Sequence, residues 1–394
     1  MRTDPLAFLG DEIASLKEQH LYRHLRVLDG EQRATTSFDG TSVVNLSSNN
    51  YLGLTTHPHL REKAIAAIEE YGAGSGSVRT IAGTMRLHME LEERLAAFKK
   101  TEAVVVFQSG FAANAGTVSA ILGRDDVIVS DELNHASIID GARLSRAAIK
   151  VCPHRDVDAA RKILRDLPPT QKKLVITDGV FSMDGDLGPV ADLAAVAEEY
   201  GAIMMVDDAH ASGVFGRNGC GTIDHFNAHG HVDIQVGTLS KAMGALGGYV
   251  AGTRSLIDFL YHRARPFLFS TSHPPAVAAA CIAALDVLET EPQLIERLWD
   301  NTRFFKEGLA ALGFNTGLSE SPITPVIAGD GALAMRLSDR LFEEGVFAQG
   351  IAFPTVARDK ARVRTIVTAT HTREELQFAL DTFAKVGREL GIIA

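Results

Sequence analysis

Lys241 closes the segment VGTLSK at 236–241, which continues from the short apolar stretch at residues 234–236 and brings the hydroxyl of Thr238 close to the lysine in sequence. An earlier apolar stretch, residues 202–206, ends in two acids and a histidine, among them Asp207 and His210. Two strands that bring a lysine, a carboxylate and an imidazole together suit pyridoxal 5'-phosphate (PLP). The lysine amine would join the cofactor aldehyde as a Schiff base. The carboxylate would keep the pyridine nitrogen protonated, so that the ring can accept electrons.

Several side chains near these strands could contact the cofactor ring. Asp207 is expected to pair with the pyridine nitrogen, and His210 could hydrogen-bond the ring phenolate. Asp208 is the alternative acid, although its side chain should point away from that of Asp207 if the strand continues. Ser182 could also reach the phenolate or could serve a local turn. His135, which follows residues 127–129, could stack on the ring or could be structural.

The cofactor phosphate and the substrate carboxylate each have candidate partners. Residues 107–114 run from a predicted strand through Gly110 into a helix, whose free N–H groups could bind a phosphate. An ordinary strand-to-helix turn is the alternative, and Thr238 offers a further hydroxyl. A bidentate arginine suits a carboxylate. Arg362 and Arg364 lie on one face of a predicted strand, so periodicity does not choose between them.

Short apolar strands alternate with helical stretches from residue 103 onward, which predicts a mostly parallel sheet with helices on both faces. The predicted strands are 104–107, 127–129, 174–177, 203–206, 234–236 and 249–251. Polar residues follow their carboxyl ends, where open α/β sheets bind ligands.

The remaining segments suggest three parts. Residues 1–57 are predicted to form an N-terminal helix, over about 5–21, and a strand segment. Residues 58–285 form the large PLP-binding domain, and 286–394 a smaller α+β domain. Strands are expected at 322–327 and 363–367. The last helix is expected to open with a capping box from Thr372 to Glu375.

The composition limits the function classes. The chain has 394 residues, 46% of them hydrophobic, and a net charge of −10, which argues against a nucleic-acid partner held by charge. No apolar run reaches the ~18 residues of a membrane span. Three widely spaced cysteines give no metal pattern and fit a reducing cytoplasm.

Eight segments taken in order resemble the α-oxoamine synthases, PLP enzymes of fold type I. The matching segments are SNNYLGL at 48–54, GSG at 74–76, HxxLE at 88–92, DELNHAS at 131–137, TDGVFSMDG at 177–185, DDAH at 207–210, TLSK at 238–241 and RPFLFST at 265–271. The resemblance covers nearly the whole chain from residue 21. It implies an α/β transferase fold with a smaller C-terminal α+β domain.

The resemblance also implies roles for individual residues. Lys241 would be the Schiff-base lysine and later the acid/base, with His135 over the ring. The implied contacts pair Asp207 with the pyridine nitrogen, His210 and Ser182 with the phenolate, the Gly110 and Phe111 backbone with the phosphate, and Asn49 and Arg364 with the amino-acid carboxylate. Ser270 and Thr271 would reach the phosphate of a neighbouring subunit, so the expected protein is a homodimer with shared active sites.

Within the family, segments 77–84 and 181–186 and the C-terminal ending look most like glycine C-acetyltransferase, which joins glycine to acetyl-CoA. The alternatives are 8-amino-7-oxononanoate synthase, which uses alanine and a pimeloyl thioester in biotin synthesis, and an enzyme that accepts several acyl-CoAs. The synthase typically has an arginine where Tyr22 stands here, with Arg23 and Arg26 nearby. That difference disfavours a carboxylated acyl chain.

Two other classes fit less well. A nicotinamide dehydrogenase would need G-x-G-x-x-G directly after a strand, and the segment at 74–76 follows a helix and lacks the third glycine. A PLP-binding protein without activity should lack part of the set formed by Lys241, Asp207, His135 and Arg364, and all four are present.

Overall fold

The computed structural model describes residues 4–19, 22 and 24–394. Its strands are β1 (Thr35–Phe38), β2 (Thr41–Asn45), β3 (Ala103–Phe107), β4 (Val127–Asp131), β5 (Ala148–Cys152), β6 (Lys173–Asp178), β7 (Ile203–Asp207), β8 (Ile234–Thr238), β9 (Gly248–Gly252), β10 (Ile323–Gly329), β11 (Val346–Phe347), β12 (Gln349–Ile351) and β13 (Ala361–Ile366). Its α-helices are α1 (Phe8–Glu18), α2 (Pro58–Tyr71), α3 (Arg86–Lys99), α4 (Gly110–Ile121), α5 (Ala136–Ser145), α6 (Val157–Arg165), α7 (Val190–Glu199), α8 (Thr222–His225), α9 (Arg254–Arg263), α10 (Arg265–Leu268), α11 (Pro275–Thr290), α12 (Gln293–Ala311), α13 (Gly331–Glu343) and α14 (Arg373–Glu389).

The large sheet has the strand order β3-β9-β8-β7-β6-β4-β5. The strands from β8 to β5 are parallel, and β9 is antiparallel to both of its neighbours. All six strands predicted from residue 103 onward lie in this sheet, so the mostly parallel α/β prediction is confirmed. The carboxyl ends of β4, β6, β7 and β8 meet at one edge, which is where the polar segments were expected.

Alternate residues of the central strands enter two different cores. Val104 and Val106 of β3 pack in a core that includes residues of α3 and α11. Val105 and Phe107 pack on the other side, in a core that includes residues of α4 and α9. Because both faces are covered, these strands read as continuous apolar runs rather than alternating ones.

Strand β5 was not predicted from the sequence. It is the edge strand beside β4, and four of its five residues are exposed. With little surface to bury, the segment carries Lys150 among apolar residues and gives no clear strand pattern.

The C-terminal part contains two further small sheets. One is antiparallel, with the order β10-β13-β12. The other joins β1 and β2 to β11, and Val44 pairs in parallel with Val346. The N-terminal strands therefore share a core with α12 and α14, where Val44 and Leu46 pack near Phe305 and Phe383. The division at residues 57 and 285 stays a prediction.

The two predicted terminal helices differ in packing. Helix α1 lies within the predicted 5–21 and buries none of its side chains, while His20 and Leu21 lie outside the described residues. Helix α14 opens with the predicted capping box between Thr372 and Glu375. Across the described part of the chain, no helix combines the length and apolarity needed to cross a membrane.

Candidate active site

A pocket of about 210 Å³ opens at the carboxyl edge of the large sheet. It is lined by Ser109, Gly110, Phe111, His135, Ser137, Asp178, Val180, Ser182, Asp207, Ala209, His210, Thr238, Ser240 and Lys241. The structure thus brings most of the predicted site residues into one cavity. The predicted residues that do not line it are Asn49, Arg364, Ser270 and Thr271.

Lys241 reaches the pocket from the turn after β8. Burial lowers the pKa of its amine to about 8, and the nearby Arg364 also lowers it, whereas Asp207 and Asp178 oppose the shift. With this pKa roughly a tenth of the amine is neutral at pH 7, a far larger fraction than for a surface lysine. The neutral amine is the form that attacks an aldehyde.

Two carboxylates stand side by side at the ends of β6 and β7, because Asp178 and Asp207 are paired in register. Asp207 Oδ2 accepts a hydrogen bond from Asn114 Nδ2 at 2.6 Å, and its Oδ1 accepts one from the Ala209 N–H at 2.9 Å. Asp178 Oδ2 accepts from the backbone N–H of His135 at 3.0 Å. Burial and the charge of Asp207 raise the pKa of Asp178 well above its ordinary value.

Helix α4 begins at the pocket wall. Ser109 Oγ caps it by accepting from the N–H of Ala112, and Ser109 O accepts from the N–H of Ala113. The amides of Gly110 and Phe111 precede these and have no intrahelical acceptor. Thr238 lies against Gly110, since a Cβ added there would stand 3.6 Å from the threonine Cβ. This arrangement can hold a phosphate dianion.

His210 and Tyr51 form a buried pair beside Lys241. The Tyr51 hydroxyl lies 2.7 Å from His210 Nδ1. Burial lowers the pKa of His210 well below its ordinary value, helped by the charges of Lys241 and Arg364. A neutral His210 can donate one hydrogen bond to an oxygen in the pocket, as the phenolate hypothesis requires.

The two arginines that the sequence could not separate have different surroundings. Arg362 Nη1 donates to Asp184 Oδ1 at 2.5 Å and to Met183 O at 3.0 Å. Arg364 Nη1 donates to Ser182 O at 3.1 Å, but its buried Nε has no hydrogen-bond partner among the described residues. Arg362 is therefore committed to an ion pair, and Arg364 retains donor capacity.

Asn49 shows a similar unmet hydrogen-bonding capacity. Its buried Oδ1 lacks a partner within residues 4–19, 22 and 24–394. An unpaired buried acceptor costs stability unless a ligand or water satisfies it.

Ser270 and Thr271 lie away from this chain's own pocket. Thr271 forms a bridge with Val78, and its carbonyl accepts from Gln108 Nε2 at 2.7 Å. Their predicted contact with a partner's phosphate remains a prediction.

The rival acid Asp208 points away from the pocket, as strand alternation predicted. Its Oδ2 accepts from Lys99 Nζ at 2.9 Å, and its Oδ1 accepts from Thr222 Oγ1 at 2.5 Å. Gly221 makes room for it, because a Cβ there would lie 1.9 Å from Asp208 Oδ2. Asp208 and Lys99 are fully buried.

Sequence reasoning missed Asp178, Tyr51, Asn114 and Ser137 as members or supports of the site. Asp178 follows a predicted strand, and the strand-end rule that selected Asp207 could have found it. Asn114 and Ser137 carry no such signal, because their contacts depend on how α4 and α5 pack together.

The segment expected to meet an acyl chain is only partly described. Arg23 lies outside the described residues. Arg26 stacks on Phe342, with its guanidinium 3.6 Å from the ring centroid, and forms salt bridges with Asp39 and Asp339. It is already engaged in this structure.

Comparison with known proteins matches this architecture. Residues 41–383 match the model of the family "Aminotransferase class I and II". The chain is 60% identical to 8-amino-7-oxononanoate synthase of Symbiobacterium thermophilum, with 98% of this chain and 99% of that protein covered. The 8-amino-7-oxononanoate synthase 1 of Bacillus subtilis is 54% identical, with 99% and 100% covered.

Solved structures agree. A serine palmitoyltransferase variant from S. paucimobilis, solved with a bound PLP–myriocin aldimine, superposes with a TM-score of 0.94 at 32% identity, with 99% of this chain and 100% of that chain covered. The 8-amino-7-oxononanoate synthase of Francisella tularensis gives a TM-score of 0.76 at 28% identity, with 88% and 98% covered. Together with the lysine–carboxylate pocket, these matches show that the chain belongs to the class I and II aminotransferase family, as a PLP-dependent α-oxoamine synthase of fold type I.

Proposed function

We propose that the protein is an 8-amino-7-oxononanoate synthase, which joins alanine to a pimeloyl thioester. The product has one carbon fewer than the two substrates together, so carbon dioxide leaves along with the thiol. The observation that carries the proposal is 60% identity to a synthase of this name over 98% of the chain.

The sequence-based preference for glycine C-acetyltransferase is not supported, because the relatives reported above carry the name of its stated alternative. The position of segment 181–186 in the structure gives a physical reason why its sequence did not identify the acyl donor. Ser182 lines the pocket and its carbonyl accepts from Arg364, while Asp184 pairs with Arg362. This segment borders the cofactor pocket, so its sequence carries little information about the acyl chain.

The residues present fit PLP. Lys241 would attach the cofactor, Asp207 would face the pyridine nitrogen, the start of α4 would hold the phosphate, and His210 and Ser182 would approach the phenolate. Bound PLP supplies an electron sink for the electron pair left on the substrate Cα when one of its bonds breaks.

The protein's own groups then have separate tasks. Asp207 keeps a proton on the pyridine nitrogen, since its charge favours the protonated ring. Lys241, as a free amine, would move a proton at the substrate Cα. Arg364 holds the substrate carboxylate with its unpaired Nε–H, and Asn49 donates to it from its amide NH₂. His135 donates a hydrogen bond to the acyl oxygen as negative charge develops there.

The experiment crosses two amino acids with two acyl donors. The purified holoenzyme is given alanine or glycine with pimeloyl-CoA or acetyl-CoA, and thiol release and product mass are measured. Alanine with pimeloyl-CoA is expected to give the highest kcat/KM. A higher kcat/KM for glycine with acetyl-CoA would overturn the proposal, and the Lys241→Ala variant provides the background rate.

We also propose that the active unit is a homodimer with shared active sites. Its support is that Thr271 is exposed and outside its own pocket, and that α1 carries exposed apolar side chains such as Phe8 and Ile13. Mixing Lys241→Ala subunits with Thr271→Lys subunits after dissociation should restore part of the activity, because one hybrid site has both native residues. Absence of recovery in verified hybrids would contradict sharing.

A further inference from the structure

A chain of three hydrogen bonds links Asp207, under the expected ring position, to His135. Asn114 Nδ2 donates to Asp207 Oδ2 at 2.6 Å and to Ser137 Oγ at 2.9 Å. Ser137 Oγ in turn lies 2.7 Å from His135 Nδ1. Asn114 and Ser137 are almost completely buried, with 0% and 1% of their surface exposed.

The direction of each hydrogen bond follows from what the groups can donate. A carboxylate only accepts, so the Asn114 amide must turn its NH₂ toward Asp207. The second hydrogen of this NH₂ then points at Ser137 Oγ. Because that oxygen already accepts a hydrogen bond, its own proton is available for His135.

The hydroxyl and the backbone N–H of Ser137 both face His135 Nδ1. The N–H of Ser137 points at Nδ1 from 3.2 Å, and a backbone N–H can only donate. Nδ1 therefore faces two donors, an N–H and an O–H, and has to be the unprotonated nitrogen. The proton of the neutral imidazole is on Nε2, the nitrogen left for the pocket.

We propose that Asn114 and Ser137 are positioning residues that hold His135 as the neutral Nε2–H tautomer and tie its orientation to Asp207. In this form His135 can donate from Nε2 and cannot accept there. The catalytic consequence rests on the proposed function, but the protonation state itself does not depend on which acyl donor is used.

The electrostatic surroundings agree with a neutral ring. Partial burial lowers the pKa of His135, and the nearby Lys241 lowers it further, while Asp207 acts in the opposite direction. An imidazolium would need a proton on Nδ1, directed at the Ser137 N–H.

The primary test is ¹⁵N NMR of histidine-labelled protein, with the His135 signals assigned by their loss in His135→Asn. In both apoenzyme and holoenzyme at pH 7, the shifts should show a protonated Nε2 and an unprotonated Nδ1. A protonated Nδ1 in either form would overturn the proposal, whatever the substrate assays show.

The second test removes only the Ser137 hydroxyl, which connects Asn114 to His135. In Ser137→Ala the hydroxyl at 2.7 Å is lost, and only the longer 3.2 Å contact from the backbone N–H remains at Nδ1. The His135 signals should therefore move toward a mixture of tautomers, and kcat should fall by at least about tenfold, since loss of tautomer control alone can cost far more. KM for the amino acid should change by less than about twofold.

Ser130→Ala is the matched control. Ser130 is also a buried serine that accepts from an asparagine amide, Asn134 Nδ2, at 2.9 Å, but it does not contact His135. This variant should keep both the tautomer and kcat. Equal effects in the two variants, at equal thermal stability, would show a structural role only and overturn the proposal.

Discussion

Two lysine–aspartate pairs begin at neighbouring residues of one strand end and have opposite properties. Asp207 faces the pocket near Lys241, and Asp208 faces away and binds Lys99. Burial lowers the pKa of Lys241 to about 8. Burial also acts to lower the pKa of Lys99, but Asp208, together with Tyr249 and Cys220, outweighs it and the net shift is upward.

The difference lies in how completely each pair is satisfied. Lys99 Nζ donates to Asp208 and to Cys220 O at 2.5 Å, and Asp208 also accepts from the N–H and hydroxyl of Thr222. Lys241 forms no salt bridge in the described part of the chain. The saturated pair has no hydrogen-bonding capacity left for a ligand, whereas the open pair keeps a reactive amine and free carboxylate lone pairs.

The largest expected effect is a loss of catalytic activity on substitution of Asp207, the aspartate that faces the pocket. Asp207→Asn should lower kcat by roughly 10³-fold, because the neutral amide no longer favours a protonated pyridine nitrogen. Its unfolding midpoint should stay near that of the unmodified protein. Steady-state assays and thermal unfolding of the purified holoenzyme check this expectation, and a variant with near-normal kcat would contradict the assignment of Asp207.

The next effect is on stability. Asp208→Ala should lower the free energy of unfolding by about 3–5 kcal/mol, because it leaves the Lys99 charge buried without a partner. Urea denaturation gives the change.

The double variant Lys99→Met/Asp208→Leu is the control for this expectation. It should be more stable than Asp208→Ala, since no unpaired charge remains. Equal losses in both variants would mean that packing rather than charge dominates at this position.

A second pair of neighbouring residues, Arg362 and Arg364, is expected to differ in its effect on binding of the amino-acid substrate. Arg364→Lys should raise KM for the amino acid by about 10–100-fold, because lysine lacks the forked geometry for a carboxylate. Arg362→Lys is the matched control, and it should affect KM much less because Arg362 is already paired with Asp184. Initial-rate measurements over a range of alanine concentrations check both, and a reversed order would transfer the carboxylate role to Arg362.

The smallest effect is a pH dependence of cofactor attachment. With a pKa of about 8 for Lys241, the neutral amine fraction rises with pH and falls about tenfold per unit below that value. The rate of PLP uptake by apoenzyme should therefore increase between pH 6 and 8 and level off above it. Uptake is followed by absorbance, and borohydride reduction with peptide mass analysis should find the cofactor on Lys241 and not on Lys99.

The sequence was sufficient for the features that local rules govern. Strands buried on both faces show as apolar runs, and polar residues such as Asp207 and Lys241, at or just after the strand ends, mark the ligand edge. Alternation along β7 also predicted that Asp208 would turn away from Asp207. Each of these follows from short-range geometry, which residue order records directly.

Features that depend on distant packing could not be predicted. Only the structure shows that Arg362 forms an ion pair with Asp184, whereas Arg364 keeps an unpaired Nε–H for a substrate carboxylate. Asn114 and Ser137 meet because α4 and α5 pack together, and no periodicity encodes that contact. The sequence-based preference for glycine C-acetyltransferase is not supported by the relatives, and one segment on which it rested, 181–186, borders the cofactor pocket through Ser182.

The pairing of β2 with β11 has a consequence for biosynthesis. Val44 leaves the ribosome some three hundred residues before its partner Val346, so this small sheet cannot close until translation is nearly complete. All strands of the large sheet lie before residue 253, and α11, which packs on one of its faces, ends at residue 290, so this part could assemble earlier. The nascent protein would then contain the folded large sheet while the β1–β2 hairpin still lacks its partner β11. The apolar side chains of that hairpin would stay accessible to chaperones during this interval.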